Sequence, residues 1–498
     1  MVTTRKNNSL LKHLCAWLLI MLSVGSTAGV AQPWLDVRDK DLRLDIERLA
    51  DAGVVKVPIN TWPLMWAGIL DDLQSFDFKQ QPQLQDSHAR VIAAGNSATR
   101  PGRSNISAKV SVASETQLFR HFGDSARDEA SLSLGRSGIS QHFAYNLEVT
   151  QVNSPWDSEE THYDNSYFAF IWGSWIWLAG NIERWWGPGW NSSLILSNNA
   201  RPAPGLTLQR NYSEASQLPI LEWLGPWTAS AFISQLDDER FINDAKLVGM
   251  TLGFRPVPSL EINLRRTAQW GGEGRPESFK SFFELATGIS DNCETAQCRL
   301  TEPGNQLGAI DINWNLPWID SSIYAQTVGE DESGALPSRS SRQYGFKRSI
   351  DTDSFQGRLF VEHDNTSTVS YFNHYNILYN HSIYRTGYRY QGRVIGATWD
   401  NDSKVTSIGL LGHLDNGDAV EARFSAGELN IDSIDASSSR HSITTQGGEF
   451  NSVSAKWRRS FRWGDAEING RYTDSVVDEF GRQKNQGMIG ASITYRLD

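Results

Sequence analysis

One segment of this chain concentrates side chains that can stack on and hydrogen-bond to a polar ligand. The run Trp-Trp-Gly-Pro-Gly-Trp at 185–190 is followed by Ser-Asn-Asn-Ala-Arg-Pro at 197–202. Indole rings can stack on the apolar faces of sugar rings, and guanidinium groups can hold carboxylates. The candidate binding residues are Arg184, Trp185, Trp186, Trp190, Asn191, Asn198, Asn199 and Arg201. Gly, Pro and Trp suit a structural turn equally well, so both roles stay open for residues 183–202, here named the Trp-rich segment.

Catalytic motifs are missing from the sequence. We find no G-x-S-x-G elbow, no P-loop, no H-E-x-x-H and no zinc-ligand spacing. We therefore expect no catalytic residue, no metal and no cofactor. A hydrolase whose Ser and His come from separated strands stays open as an alternative, because spacing along the chain would not reveal it.

The N-terminus has the pattern of a secretory signal peptide spanning residues 1–31. Basic residues (Arg5, Lys6 and Lys12) precede an apolar run over 14–24, and small residues end at Ala31. Cleavage there changes the formal net charge from −11 to −14. An acidic exported chain has no electrostatic basis for binding nucleic acid.

After cleavage only Cys293 and Cys298 remain among the cysteines. In an exported chain two cysteines this close are expected to form a disulfide. A metal pair is the alternative, but no nearby histidine completes a set of ligands.

Residues 32–100 are predicted to be helical. Apolar positions recur at helical spacing over 39–52, Pro63 fits the first turn of a second helix, and a third helix is expected over 84–94, ended by Gly95-Asn96. Three short helices bury little surface alone, so they need another body to dock against. The mouth of a barrel would serve.

From about residue 101 to 498 the hydrophobic period changes to two. Apolar and polar residues alternate over 143–150, 310–316, 420–426 and 466–473. Soluble β-sandwiches alternate as well, but the number of such segments and the mixing of Arg with acids at the polar positions favour a membrane barrel. Arg358 and Glu362, for example, share one face of a predicted strand. At roughly 20–25 residues per strand and connection, about 16–18 antiparallel strands fit.

Turn residues support this reading. Leu414 to Ala419 contain Asn-Gly, which predicts a type I′ hairpin, and Trp172-Gly173-Ser174-Trp175 suits a two-residue type II′ turn. Polar stretches at 291–306, 329–341 and 432–448 have the character of extracellular loops.

The Trp-rich segment, set between a signal peptide with a short helical region and a long β-rich region, resembles the Wzi-type capsule assembly family. The resemblance implies an outer-membrane barrel of 18 strands, with the N-terminal helices as a periplasmic plug. It also implies a non-enzymatic, lectin-like protein that attaches capsular or exopolysaccharide to the cell surface. Its partners would be the polysaccharide, outer-membrane lipid and the barrel assembly machinery. A diffusion channel is the alternative function.

Overall fold

The computed structural model describes residues 31–76, 81–124, 127–287, 304–330, 340–369, 373–433, 441–477 and 483–497. The predicted signal peptide (all but its last residue), the Cys293–Cys298 disulfide and most of the 329–341 loop lie outside the described residues. Within the described part, none of the helices is both long and apolar enough to cross a membrane.

Eighteen antiparallel strands close into a barrel, and the last strand pairs with the first. This confirms the predicted barrel class. In chain order the strands are β1 Ser104–Ala113, β2 Ala130–Ile139, β3 Phe143–Asn153, β4 Tyr167–Trp172, β5 Trp175–Gly180, β6 Gly205–Arg210, β7 Trp227–Gln235, β8 Lys246–Val257, β9 Leu260–Trp270, β10 Gly304–Leu316, β11 Ser321–Glu330, β12 Ser340–Thr352, β13 Phe355–Val369, β14 Lys404–Leu414, β15 Ala419–Leu429, β16 Gly448–Phe461, β17 Gly464–Val477 and β18 Gln483–Leu497.

The strands place apolar side chains outside and polar side chains inside, as the two-residue period predicts. In β3, Phe143 and Leu147 are 46% and 61% exposed, whereas Asn146 is buried. In β10, Ile310 is exposed and its neighbour Asp311 is buried. A wall of this kind offers an apolar surface to lipid while its polar groups bond one another in the lumen.

The two ends of the barrel differ in the length of their connections. One end, here the turn end, carries mostly short connections; the opposite end, here the loop end, carries the long ones. At the turn end Trp172 pairs with Trp175 around Gly173, whose φ of 54° suits the predicted two-residue turn. The type I′ prediction at Asn416-Gly417 is wrong: only Gly417 has positive φ, and 415–418 form a four-residue loop.

Among the described residues before the barrel, three α-helices occur: α1 Lys40–Asp51, α2 Trp66–Gln74 and α3 Gln85–Ala98. The first matches its prediction. The prediction that Pro63 lies in the first turn of the second helix is wrong. Pro63 lies between two strands of two residues each, and α2 begins only at Trp66. Gly95 does not end α3 either. A Cβ at Gly95 would lie 2.9 Å from a Trp66 ring atom, so the glycine lets α3 pack closely against α2.

The N-terminal segment packs into the lumen rather than beside it. One apolar cluster joins Leu44, Ile46 and Trp66 to Phe360 and Leu411, which are lumen-facing positions of β13 and β14. Another helix, α4 Phe279–Thr287, lies in the connection between β9 and β10 at the loop end.

Candidate functional site

The Trp-rich segment connects β5 to β6 and folds inward across the lumen. Trp185, Trp186 and Trp190 are at most 1% exposed. Trp185 and Trp186 form a two-residue antiparallel pairing with Trp62 and Thr61 of the N-terminal segment. The predicted binding tryptophans therefore contact the protein itself in this structure.

The glycines of this segment permit its close approach to the barrel wall. A Cβ on Gly189 would lie 2.3 Å from the Ser192 carbonyl oxygen and 2.8 Å from Gln343 Nε2. Gln343, on β12, donates to that same carbonyl at 2.9 Å. A larger residue at 189 would displace these groups.

Trp190 joins the segment to α1. Its indole N–H donates to Glu47 Oε2 at 3.0 Å. The Arg43 guanidinium contacts the rings of both Phe122 and Trp190, 4.1 and 4.2 Å from their centroids. Arg43 also donates to the Pro188 carbonyl at 3.0 Å. Two buried side chains of α1, the cation Arg43 and the carboxylate Glu47, therefore both hydrogen-bond to the turn.

Glu47 is surrounded by three buried cations. It pairs with Arg43 at 2.9 Å, Arg358 at 2.8 Å and Lys347 at 3.4 Å. Burial alone would raise the pKa of Glu47, but Lys347, Arg43 and Arg358 outweigh it and lower the pKa to about 2. The carboxylate stays ionised and ties α1 to β12 and β13.

The other flank of the turn is held by β13 to β15. The backbone N–H groups of Trp190 and Asn191 donate to the Glu362 carboxylate at 2.5 and 3.0 Å. The Asn191 amide donates to Ser407 at 2.8 Å and accepts from Arg423 at 3.0 Å. The wall therefore bonds both the backbone and the side chain of this part of the segment, while the Asn191 carbonyl accepts from Thr398 of the 373–403 loop.

The second half of the segment meets the loop end. Leu194, Ile195 and Leu196 share an apolar cluster with residues of 378–397. The Tyr388 hydroxyl donates to the Ile195 carbonyl at 3.0 Å, and the Tyr379 hydroxyl donates to that of Leu194. Packing is therefore continuous from α1, through the Trp-rich segment, to the 373–403 loop.

The remaining candidate residues have different surroundings. Arg184 is buried, donates to Thr207 at 2.6 Å and lies over the Phe232 ring. Burial lowers its pKa to about 9. The Asn198 carbonyl accepts from Arg120 at 2.6 Å, and the Asn199 side chain accepts from the Arg120 backbone N–H.

Arg201 is the candidate residue that ties the segment to an external loop. It donates to Asp157 at 2.6 Å and forms a two-pronged pair with Asp164 at 3.1 to 3.2 Å. Burial would raise the pKa of Asp157, but the contacts with His162 and Arg201 lower it below its usual range. The 154–166 loop is therefore clamped by charge-assisted bonds.

These clamps position a groove at the loop end. It is lined by Gln117, Arg120, Arg127, Asp128, Trp156, Asp157, His162, Asn199, Arg201, Tyr390, Gln391 and Arg393. The indole of Trp156 is 44% exposed, and the Arg393 guanidinium lies 3.9 Å from its ring centroid. The Arg393 guanidinium donates to the carbonyls of Gln117 and Leu118, which fixes it behind the indole, so the other side of the indole offers an apolar surface.

A tight hairpin brings Arg393 to Trp156. Arg389–Tyr390 pairs with Arg393–Val394, and Gln391 and Gly392 between them have φ of 50° and 72°. Two consecutive positive φ values suit a type I′ turn. A Cβ on Gly392 would lie 3.3 Å from Trp156 Nε1, so this glycine also leaves room for the indole.

The charges around the groove are balanced, because Glu183 pairs with Arg120 and Arg127 and Asp164 pairs with Arg201 just behind the lining. In the lining itself, four arginines face two aspartates. Burial, together with Arg127, lowers the pKa of Arg393 to about 9, and burial, together with Arg120, lowers that of Arg127 to about 10. The space between the side chains is only about 20 Å³, which is water-sized. A larger ligand would therefore rest on the rim, where Trp156 is exposed.

The structure brings two of the eight predicted residues, Asn199 and Arg201, to this groove and places the other six elsewhere in the lumen. Trp156, Tyr390 and Arg393 were missed by the sequence reasoning. The available signal was a tryptophan within the polar run Asn-Ser-Pro-Trp-Asp at 153–157, between strands. Across the described ranges, no three His, Cys, Asp or Glu side chains converge as metal ligands would.

A closed barrel of eighteen strands with an apolar outer wall and a polar lumen defines an outer-membrane protein. The family model of capsule assembly protein Wzi matches residues 99–486. The chain belongs to this family.

Two known proteins are similar to the chain. An uncharacterized 55.8 kDa protein in the cps region of Klebsiella pneumoniae is 33% identical over 337 residues, 66% of this chain. That match spans 64% of the relative, so the chain matches slightly less than two thirds of its length. Wzi of Escherichia coli, an outer membrane protein involved in group 1 capsule assembly and described as a carbohydrate-binding β-barrel, superposes with a TM-score of 0.80 at 23% identity. The superposition covers 93% of this chain and 99% of that one.

Proposed function

We propose that this protein binds capsular or exopolysaccharide at the loop end of the barrel and attaches it to the cell surface during capsule assembly. The observation that carries the proposal is the exposed Trp156 indole, which lies against Arg393 and precedes Asp157, the residue that Arg201 binds. Long loops of outer-membrane barrels face the outside, where the polymer lies. Each contact is weak, but a repeating polymer gains avidity over many copies of the barrel.

The role proposed here for the Trp-rich segment is mainly that of a brace. Direct polysaccharide binding by its eight candidate residues stays a prediction. The bracing role is supported by the contacts of Trp190 with α1, of Asn191 with β14 and of Arg201 with the 154–166 loop.

In the same proposal residues 32–100 plug the periplasmic side. The support is the buried ion cluster around Glu47 and the apolar contacts of α1 to α3 with the lumen. A plugged lumen favours binding over the alternative of a diffusion channel. A lectin-like role requires no catalysis, and we propose that the protein is not an enzyme. Contacts with the barrel assembly machinery remain part of the proposal.

The test compares Trp156→Ala with the matched control Trp318→Ala, since Trp318 is 74% exposed at the turn end. Cells lacking the gene are complemented with each variant, and surface polysaccharide is divided between cells and medium. Purified variants are then titrated with capsular polysaccharide from the host strain.

Loss of one stacking surface is worth about 0.5–1.5 kcal/mol per site, or roughly 2–12-fold in affinity. We expect Trp156→Ala to release polymer into the medium, whereas Trp318→Ala retains it. If polymer is still retained with Trp156→Ala, the groove is not the binding site. If deletion of the whole gene leaves retention unchanged, attachment itself is the wrong function, and bilayer conductance would then test the channel.

A further inference from the structure

α4 lies on the outer wall of the barrel, not over its lumen. Phe282 packs edge-on against Trp270, with ring centroids 5.5 Å apart, and Leu285 is buried with Val248 and Ala268. These partners occupy outward positions of β8 and β9. One face of α4 therefore covers outward-facing side chains at the loop-end edge of the wall.

The position of α4 is fixed by local contacts. The Ser278 hydroxyl accepts from the Ser281 backbone N–H at 3.1 Å, which caps the first turn of the helix. Trp270 Nε1 donates to Ser281 Oγ at 3.3 Å. A Cβ on Gly304 would lie 2.7 Å from Leu285, so the glycine lets the helix lie flat on the wall.

The opposite face of α4 is apolar and exposed. Phe279 and Phe283, one helical turn apart, are 85% and 55% exposed. Lys280 beside them is also exposed and pairs only loosely with Glu284, at 3.6 Å. Exposure of two phenylalanines to water is unfavourable. Phenylalanines next to a lysine suit the boundary between acyl chains and headgroups instead.

The wall beneath α4 changes from apolar to polar at this level. Leu264 pairs with Ile310, and both are exposed and outward. The next outward residue of β9 is Arg266, which donates to Gln306 on the outer surface. Lys246 follows on β8, bound to Glu277 at 2.5 Å. Charged outward residues mark the level at which the hydrocarbon layer ends.

We propose that α4 docks on the outer leaflet, with Phe279 and Phe283 entering the acyl boundary and Lys280 meeting phosphate groups of anionic lipid. The argument rests on continuity with the lipid-facing wall and on the charge of Lys280. The docked helix would hold the loop end at a set height above the membrane. This inference does not depend on the polysaccharide groove.

Site-specific photocrosslinking tests the contact. A benzophenone amino acid is introduced at Phe283 of the full chain, which is reconstituted in nanodiscs of phosphatidylcholine alone or mixed equally with phosphatidylglycerol. The same probe at Ile310, on the lipid-facing wall, is the positive control. At Glu239, exposed in the 236–245 loop at the same end, it is the negative control.

We expect lipid adducts at 283 with a yield within about twofold of that at 310, and none at 239. The yield at 283 should rise when phosphatidylglycerol is added, and Lys280→Glu should abolish that rise while leaving the 310 adduct unchanged. Crosslinking to a second copy of the chain, or no adduct at 283, overturns the proposal. If the adduct yield at 283 is the same with and without phosphatidylglycerol, Lys280 does not bind anionic lipid.

Discussion

Replacing the Glu47 carboxylate should release α1 from the lumen. Glu47→Gln keeps the size of the side chain but leaves Arg43, Lys347 and Arg358 facing a neutral amide. Their separations of 2.8 to 3.4 Å place them well within the range of strong attraction. The bond from Trp190 would also lose its charge assistance.

The size of the effect follows from the pKa of Glu47. A fall from 4.5 to about 2 corresponds, at about 1.4 kcal/mol per unit, to roughly 3 kcal/mol of stabilisation of the ionised form. Breaking one partner of a buried ion pair costs a similar ~3–5 kcal/mol. Because the pKa is lowered on folding, this stabilisation is complete above about pH 4.5 and is lost as the pH falls through 2. At neutral pH the full effect applies.

Hydrogen–deuterium exchange of the α1 amides in the folded barrel measures this loss. We expect exchange of 40–51 to speed up about 100-fold in Glu47→Gln, and bilayer conductance to rise as the lumen opens. Asp71→Asn is the control, because it removes the same charge from an exposed position on α2. If Glu47→Gln exchanges and conducts like Asp71→Asn, the ion cluster does not hold the helix.

Three further perturbations test the loop end. Burial raises the pKa of Asp402 to about 7, so the 373–403 loop should lose stability as pH rises from 4 through 7. The backbone N–H of Asn376 donates to Asp402, and its protection factor, which is the intrinsic exchange rate at each pH divided by the observed rate, should fall over this range in the parent protein and stay constant in Asp402→Asn. Gly392→Ala should cost about 1–2 kcal/mol, seen as faster exchange around Trp156, because φ is 72° there. Arg201→Lys cannot form the two-pronged pair and should weaken polymer binding several-fold without changing the far-ultraviolet circular dichroism. If the exchange or the polymer binding of a variant equals that of the parent protein, the contact that the variant removes does not have the proposed effect.

The barrel could be predicted from the sequence because its signal is local. The alternation of apolar and polar residues along one strand shows which side chains face lipid. Only the apolar side chains can do so, because polar groups exposed to lipid cost several kcal/mol each. The first helix was predicted for the same reason, since Leu42, Ile46 and Leu49 share a face. Pro63 shows the limit: its short flanking strands are made by partners at 34–35 and 185–186. The residues next to Pro63 in the sequence do not predict these distant partners.

Arg358 and Glu362 show what the tertiary structure alone decided. They share one face of β13, as predicted, but they are four positions apart in the strand, a distance of about 13 Å. Arg358 pairs instead with Glu47 and Asp51, and Glu362 accepts from the backbone of Trp190.

The sequence by itself determined the wall of the barrel, the presence of helices before it and the unusual composition of the Trp-rich segment. It did not determine that this segment lies inside the barrel or that Trp156, not Trp190, reaches the surface. Those outcomes depend on contacts between residues far apart in the chain, such as Trp190 with Glu47 and Arg201 with Asp157. A binding surface made of loops is defined by such contacts, because no local period positions a loop.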